Sequence, residues 1–207
     1  MISDLILEEG KKLSGVEKYK YLGIIFNKDG NSRMEVNERI IKGRKITGAL
    51  HSVLWDKTIR RSTKMKIYTS LVRSFTTYVA EVWDIGVRNR VRLLATEMDF
   101  LRRSCGLTRT DRVRNEEIIR RMNMDGDLID EILKKQLVWF GQVKRMDEER
   151  IPKKALEWIP PERRKRGRPR SSWTDEVNKA MSSRNLEIVD VWDRETWKLG
   201  MEKRRQT

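Results

Sequence analysis

Residues 128–146 read LIDEILKKQLVWFGQVKRM, and this stretch carries the clearest folding signal in the chain. Apolar side chains recur there every three or four residues, a spacing that puts them on one face of a helix. They are Ile129, Leu133, Leu137, Phe140 and Val143. The opposite face carries polar and charged residues, among them Lys134, Gln142 and Arg145. The pattern predicts an amphipathic helix that packs on one side and exposes charge on the other.

Three earlier segments have the same spacing and predict a helical bundle. The first begins near Ser32, which stands three residues before Glu35 as in a capping box. Its apolar stripe consists of Val36, Ile40, Gly43, Thr47, Leu50 and Leu54. The second helix, from about Ser62, carries Tyr68, Leu71, Val72, Phe75 and Val79. The third, from about Asn89, carries Val91, Leu94, Met98, Leu101 and then Cys105, which we interpret as a core thiol.

The first thirty residues favour extended structure. An apolar run from Ile2 to Leu7 precedes a turn near Gly10, and the run YKYLGIIF at 19–26 is closed by turn residues at 27–30. We expect one hairpin, which must pack against other structure because two strands are not stable alone. The predicted fold is therefore mainly α, with an N-terminal β-hairpin followed by helices.

Composition indicates a folded, strongly basic protein. Apolar residues make up 38% of the chain, and 46 Lys and Arg against 31 Asp and Glu give a net charge of +15. Such a surplus attracts polyanions, so we expect nucleic acid, RNA or DNA, as the partner. No apolar run is long enough to cross a bilayer, and the acidic N-terminus does not resemble a signal peptide. We expect no membrane partner and a nuclear or cytoplasmic location.

The sequence lacks the residues that most catalytic and metal sites need. Cys105 is the single cysteine and His51 the single histidine, which excludes an internal disulfide and any cysteine or histidine zinc cluster. There is no Gly-Lys-Ser/Thr phosphate loop, and the carboxylates are scattered among bases. We therefore expect no catalytic residue, no cofactor and no metal.

A dense basic cluster follows the prolines at 160 and 161 and predicts an extended arm. In Arg166-Gly167-Arg168-Pro169 the glycine permits close approach to a groove floor, while the arginines suit the negative potential of an A·T-rich minor groove. A nuclear-import signal and a phosphate-binding linker explain the same residues equally well. The predicted nucleic-acid contacts in the arm are Arg163, Arg164, Lys165, Arg166, Gly167, Arg168 and Arg170. Those outside it are Arg102, Arg103, Arg112, Arg114, Lys134 and Arg145.

Tryptophans are interleaved with bases along the C-terminal half. They are Trp139, Trp158, Trp173, Trp192 and Trp197. Tryptophan at helical spacing is more often part of a core than a platform for stacking bases, so we favour the core interpretation. Ser172 is expected to cap a helix that carries Trp173.

The order of several short motifs resembles the C-terminal end of the reverse transcriptase of non-LTR (LINE-like) retrotransposons. The motifs are Tyr21-Leu22-Gly23, Trp83, Phe100-Leu101-Arg102-Arg103, Asn115, the run WFGQVKRM at 139–146, Pro152-Lys153, Gly167-Arg168-Pro169-Arg170 with Trp173, and Asp193-Arg194 with Trp197. No motif is specific alone, but their order and spacing are, and they extend over nearly the whole chain.

The resemblance implies a division of the chain and a role for each part. Residues 1–30 would be a primer-grip-like hairpin containing Tyr21, Leu22 and Gly23, and residues 31–108 a thumb-like helical bundle. Residues 109–158 would form a C-terminal helical segment, 159–171 the basic arm, and 172–207 tryptophan-containing helices.

The polymerase of that family needs a Tyr-x-Asp-Asp motif to hold its metal ions, and this sequence contains none. We therefore expect a non-enzymatic, nucleic-acid-binding fragment that lacks the catalytic palm. The alternatives are a host DNA-binding or regulatory protein derived from the retrotransposon tail, and a pseudogene product with no selected role.

Overall fold

The computed structural model describes residues 5–6, 12–13, 15–158 and 172–202. The chain is mostly helical and begins with antiparallel strands, which confirms the predicted fold class. No helix among the described residues is long and apolar enough to span a membrane.

The N-terminal strands form two hairpins rather than the single predicted one. Strand β1 (Leu5–Ile6) pairs with β2 (Lys12–Leu13), and β3 (Lys18–Tyr21) pairs with β4 (Ile24–Asn27). The run at 19–26 is not one strand, because Leu22 and Gly23 adopt φ values of +48° and +79° and turn the chain back. Two successive positive φ values make the tight two-residue turn that suits the twist of a hairpin.

Ten α-helices follow within the described residues, interrupted by shorter turns. They are α1 (Arg33–Ala49), α2 (His51–Trp55), α3 (Arg61–Ile67), α4 (Ser74–Thr76), α5 (Val87–Ser104), α6 (Asn115–Arg121), α7 (Leu128–Lys144), α8 (Ile151–Glu157), α9 (Trp173–Ser182) and α10 (Arg194–Glu202). A π-helical segment, Tyr68–Arg73, joins α3 to α4, and 3₁₀ turns lie at Ala80–Val82 and Ile188–Trp192.

The core consists of two hydrophobic clusters. The larger joins α1, α5, α7, α9 and α10 around the buried Trp83 and Trp197. The smaller joins α2, the π segment, α5 and α6 around Tyr68, Phe100 and Ile118. All five apolar positions predicted to share a face of α7 are buried, as the sequence pattern requires, and four of them, Ile129, Leu133, Leu137 and Phe140, belong to the larger cluster.

Two of the predicted apolar stripes are partly wrong. Leu71 and Phe75 are exposed, because the π segment takes more residues per turn and rotates them away from the core. In α5 Val91 is exposed, whereas Leu93 and Phe100 are buried. The buried face of α5 also contains Thr96, Glu97 and Ser104. Because these residues are polar, the apolar pattern of the sequence does not identify which face of the helix is buried.

The predicted helix caps have mixed outcomes. Ser172 caps α9 together with Asp175, as expected. Ser32 does not cap α1 with its side chain. Its Oγ accepts a hydrogen bond from the Asp84 amide instead, and Glu35 turns towards the β3–β4 hairpin.

A buried lysine stabilises the ends of two helices. The Nζ of Lys64 donates to the carbonyl oxygens of Leu54 (2.6 Å) and Ser104 (3.3 Å), in the last turns of α2 and α5. A cation there interacts favourably with the negative end of each helix dipole. Burial lowers the pKa of Lys64. Cys105 follows at the end of α5, half-buried against the smaller cluster, and burial raises the pKa of its thiol.

Candidate nucleic-acid interface

The β3–β4 hairpin presents an exposed aromatic face. Tyr19 lies opposite Phe26 in the strand register, so both side chains and that of Tyr21 point to the same side. Their exposed fractions are 60%, 52% and 55% respectively. The Tyr19 and Tyr21 rings are stacked with centroids 6.5 Å apart. The hairpin therefore offers a flat aromatic surface to solvent.

A buried ion pair on α1 holds the hairpin in place. The side chains of Glu35 and Arg39 are each only 4% exposed, and Arg39 Nε donates to Glu35 Oε1 over 2.5 Å. The second oxygen of Glu35 accepts the Ile25 amide (2.7 Å), and Arg39 Nη2 donates to the Gly23 carbonyl (2.8 Å). Both contacts are to backbone atoms, so they fix the hairpin without covering its aromatic face.

Tyr78 provides a further contact at the hairpin turn. Its hydroxyl donates to the Leu22 carbonyl over 3.3 Å, and the Arg39 guanidinium lies 4.6 Å from the centre of its ring. Tyr21, Leu22 and Gly23 thus lie at the tip of an anchored hairpin, where the first two side chains are exposed.

Lysines lie on the opposite face of the same hairpin. Lys18 and Lys20 alternate with the two tyrosines along β3 and therefore point to the other side, where both are exposed. Lys28, just after β4, is exposed and lies 3.6 Å from Glu17 Oε1. Lysines on an edge strand discourage pairing with another sheet, and they also raise the positive potential around the aromatic face. The combination suits a ligand with planar groups and negative charge.

A second basic surface lies at the C-terminal end of α5. Arg102 Nη2 donates to the Val113 carbonyl and to Asn115 Oδ1, each over 2.7 Å, and so ties α5 to the following loop. Arg103 pairs with Asp99 over 3.1 Å on the same helix. The structure therefore brings the predicted residue Arg102 to the base of the loop that carries Arg112 and Arg114, whereas the Arg103 side chain also lies 3.4 Å from His51 of α2.

The loop from 106 to 114 has a defined shape. Asp111 Oδ2 accepts hydrogen bonds from the amide (2.6 Å) and hydroxyl (2.8 Å) of Thr108. These bonds lower the pKa of Asp111. Arg112 has a φ of +51°, a conformation that non-glycine residues rarely adopt. Arg102, Arg109 and Arg112 line a groove of about 450 Å³ between this loop and α5.

Other predicted contacts lie elsewhere. Lys134 is half-buried on α7, where it lines a cavity that includes Trp139. Arg145 donates to the Val191 carbonyl over 2.6 Å, and burial lowers its pKa. This bond links the end of α7 to the segment before α10. Arg114 is exposed at the start of α6. The arm residues 163–168 and Arg170 lie outside the described residues.

Sequence reasoning missed several residues of both surfaces. The alternation KYKY at 18–21 indicates a strand with Tyr19 on one face and Lys18 and Lys20 on the other. The sequence gives no signal for the turn at Leu22, which places Phe26 opposite Tyr19. Arg109 is not among the contacts that the sequence predicts. No sequence signal places it opposite α5.

The tryptophans divide between core and surface. Trp197 is buried in the larger cluster and Trp173 packs against it, with the ring of Phe140 6.3 Å from each. These two fit the core interpretation. Trp158 and Trp192 are exposed.

Comparison with known proteins finds a relative derived from a transposon. A Caenorhabditis elegans protein described as transposon-derived and uncharacterised is 29% identical over 203 residues, which cover 90% of this chain and 70% of that protein. The similarity supports a transposon-related origin. No protein-family model matches the chain, and no solved structure matches it.

Proposed function

We propose that the chain is a nucleic-acid-binding part of a non-LTR retrotransposon reverse transcriptase, and that it binds through the β3–β4 hairpin and the end of α5. The order of sequence motifs and the transposon-derived relative support this origin. The proposal covers binding only, to RNA or DNA.

The aromatic face of the hairpin carries the proposal. Tyr19, Tyr21 and Phe26 are each more than half exposed, yet the hairpin that bears them is fixed by a buried ion pair. A fixed and exposed aromatic surface suits base stacking, which is insensitive to sequence because every base has a π-face. The lysines on the other face of β3 raise the positive potential around the hairpin and so favour the approach of a polyanion.

The chain by itself is not expected to synthesise DNA. Nucleotidyl transfer needs paired metal ions held by carboxylates, and the sequence has no Tyr-x-Asp-Asp motif. Primer extension with Mg²⁺, a primed template and all four nucleotides tests this part. We expect incorporation no greater than with heat-inactivated protein, and incorporation above that control would contradict the proposal.

Alanine substitution of the stacked tyrosines tests the binding surface. The double variant Tyr19→Ala/Tyr21→Ala should bind a fluorescein-labelled single strand at least about fivefold more weakly, since each base stack contributes about 1 to 3 kcal/mol. Fluorescence anisotropy measures the change. Trp192→Ala removes another exposed aromatic side chain away from the hairpin and should leave the affinity within about twofold.

Thermal melting by circular dichroism verifies that both variants are folded. Unchanged affinity in the tyrosine variant, or the same loss in Trp192→Ala, would contradict the assignment to the hairpin.

A further inference from the structure

The groove between α5 and the loop at 106–114 has an apolar floor that faces solvent. Its apolar lining consists of Val91, Leu94, Ala95, Met98 and Val113. Val91 is 61% exposed, although its spacing had predicted a core position. An exposed concave apolar surface is unusual on a helix so rich in charge, and such surfaces commonly mark binding sites.

The rim of the groove is positively charged. Arg102, Arg109 and Arg112 line it together with one carboxylate, that of Asp99, which is already paired with Arg103. Arg109 and Arg112 are exposed and form no ion pair with a residue that the structure describes. The groove therefore combines an apolar floor with two available guanidinium groups, which are the groups best shaped to hold a phosphate.

We propose that this groove holds one unpaired nucleotide of a bound strand. The base lies against the floor formed by Val91, Ala95 and Val113, and the phosphate is bound by Arg109 and Arg112. Asn115 also lines the groove, and because its Oδ1 accepts from Arg102, its amide nitrogen is left to donate to an acceptor on the base edge.

The size and the positive charge of the groove both suit a single unpaired nucleotide. A volume of about 450 Å³ lies within the range of roughly 300 to 1,000 Å³ typical of small-molecule sites. A paired base cannot enter without being extruded from the helix, which costs a few kcal/mol, whereas a bulged base is already unpaired. The proposal rests on the proposed nucleic-acid binding and adds a preference for unpaired nucleotides.

Three duplexes of one sequence test the preference. One is fully paired, one carries a single-nucleotide adenine bulge, and one has the same bulge without its base. We expect the adenine bulge to bind about tenfold more tightly than either of the others, because only it offers a base to the groove. Competition binding measured by fluorescence anisotropy gives the three affinities.

Filling the groove should remove the preference but not the binding. Ala95→Leu places a larger side chain in the floor, so the adenine bulge should bind like the fully paired duplex, whose own affinity stays within about twofold. Ala155→Leu makes the same change at an exposed position of α8 and should keep the tenfold preference. Arg112→Ala should weaken the bulged duplex more than Arg114→Ala, which removes the same charge outside the groove.

The possible results separate this inference from the proposed function. Equal affinity of the wild-type protein for the three duplexes would overturn the nucleotide site while leaving general binding intact. Binding of free adenosine 5′-monophosphate as tightly as the bulged duplex would overturn the assignment to a strand. No binding to any duplex or single strand would contradict the proposed function, and the nucleotide site with it.

Discussion

Leu22 holds a backbone conformation that is costly for its residue type. Its φ is +48°, in the left-handed region, where a β-carbon meets the following carbonyl and costs about 1 to 2 kcal/mol. Its side chain is exposed, so no burial offsets this cost. The contacts from Tyr78 and Arg39 to the carbonyls of Leu22 and Gly23 hold the strained turn.

Leu22→Asn should therefore stabilise the hairpin. Asparagine tolerates the left-handed region, and Asn-Gly is the preferred pair for a turn of this type. We expect the substitution to stabilise the hairpin by about 1 kcal/mol, which hydrogen exchange would show as roughly fivefold slower exchange of the β3–β4 amides.

The control is Leu199→Asn, which replaces an exposed leucine in the helical backbone of α10 and should stabilise nothing. Faster exchange of the hairpin amides in Leu22→Asn would show that the turn is not strained.

Glu97 is a buried carboxyl group that links three elements. From α5 it accepts hydrogen bonds from the Tyr68 hydroxyl (2.5 Å) and from the Leu128 amide (2.9 Å) at the start of α7. Burial raises its pKa from 4.5 to about 7, against the opposing effects of these two bonds and of the charge of Arg73, while the charge of Asp127 adds to the rise. The folded protein therefore keeps this proton up to about pH 7.

This proton makes stability depend on pH. Between pH 4.5 and 7 the folded state binds more protons at Glu97 than the unfolded state does, so the free energy of unfolding falls as the pH rises. Glu97→Gln resembles the protonated form and does not titrate. Its stability relative to wild type should rise by roughly 3 kcal/mol between pH 4.5 and pH 8.

Urea unfolding at several pH values measures that difference. Glu116→Gln, at an exposed position, is the control and should show a nearly constant offset from wild type. A pH-independent offset for Glu97→Gln would mean that the carboxyl group is ionised throughout the range.

At the level of the helices, the Trp139-Phe140-Gly141 motif is explained by packing. Gly141 lies where α7 meets Trp197 of α10, and a β-carbon at this position would sit 2.5 Å from Trp197 Nε1. Because Trp197 is buried in the larger cluster, it has no space into which it could move. The glycine is required for the close approach of the two helices.

Gly141→Ala should destabilise the protein. Alanine favours a helix over glycine by about 1 kcal/mol, but overpacking a rigid core costs about 1 to 3 kcal/mol, and a contact of 2.5 Å puts this site at the upper end. We expect a net loss of about 1 to 2 kcal/mol in urea unfolding.

Gly48 of α1 supplies the matched control, since a β-carbon there meets nothing within 4 Å. Gly48→Ala should therefore be stabilising by about 0.5 to 1 kcal/mol. If Gly141→Ala were as stable as the wild-type protein, α7 and α10 could move apart without any loss in the free energy of unfolding.

The sequence predicts an element best where its buried face is uniformly apolar. In α7 the five predicted positions are all buried, and the helix begins at the predicted Leu128 and ends at Lys144, two residues before the predicted end. In α5 the buried Thr96, Glu97 and Ser104 interrupt the apolar pattern. The predicted stripe therefore includes the buried Met98 and Leu101 but also the exposed Val91, and it omits Leu93 and Phe100. The π segment and the Leu22 turn depend on backbone geometry for which the residue types give no signal.

The candidate interface could also be predicted only in part from the sequence. Basic residues could be identified from composition, and two of the predicted ones, Arg102 and Arg112, line one groove beside the loop. Their proximity depends on how that loop folds back on α5, which the sequence does not encode locally. Arg145 is the opposite case. It lies on the face of α7 that the sequence predicts to be polar, yet its side chain binds the Val191 carbonyl and so links α7 to the segment before α10.

In the whole molecule, both candidate surfaces rest on one packed framework. The larger hydrophobic cluster joins α1, which anchors the hairpin, to α5, which carries the arginine groove, and to α7. Around this framework the chain carries a net charge of +15. Nucleic-acid binding by such a protein should depend mainly on phosphate contacts, with stacking and the groove adding selectivity.

The dependence of affinity on salt tests this account most directly. If about six phosphates are neutralised on a duplex, the logarithm of the binding constant should fall against the logarithm of the salt concentration with a slope of about −5. Titrations by fluorescence anisotropy between about 50 and 200 mM salt give the slope. A slope near zero, or no binding at about 50 mM salt, would contradict the account.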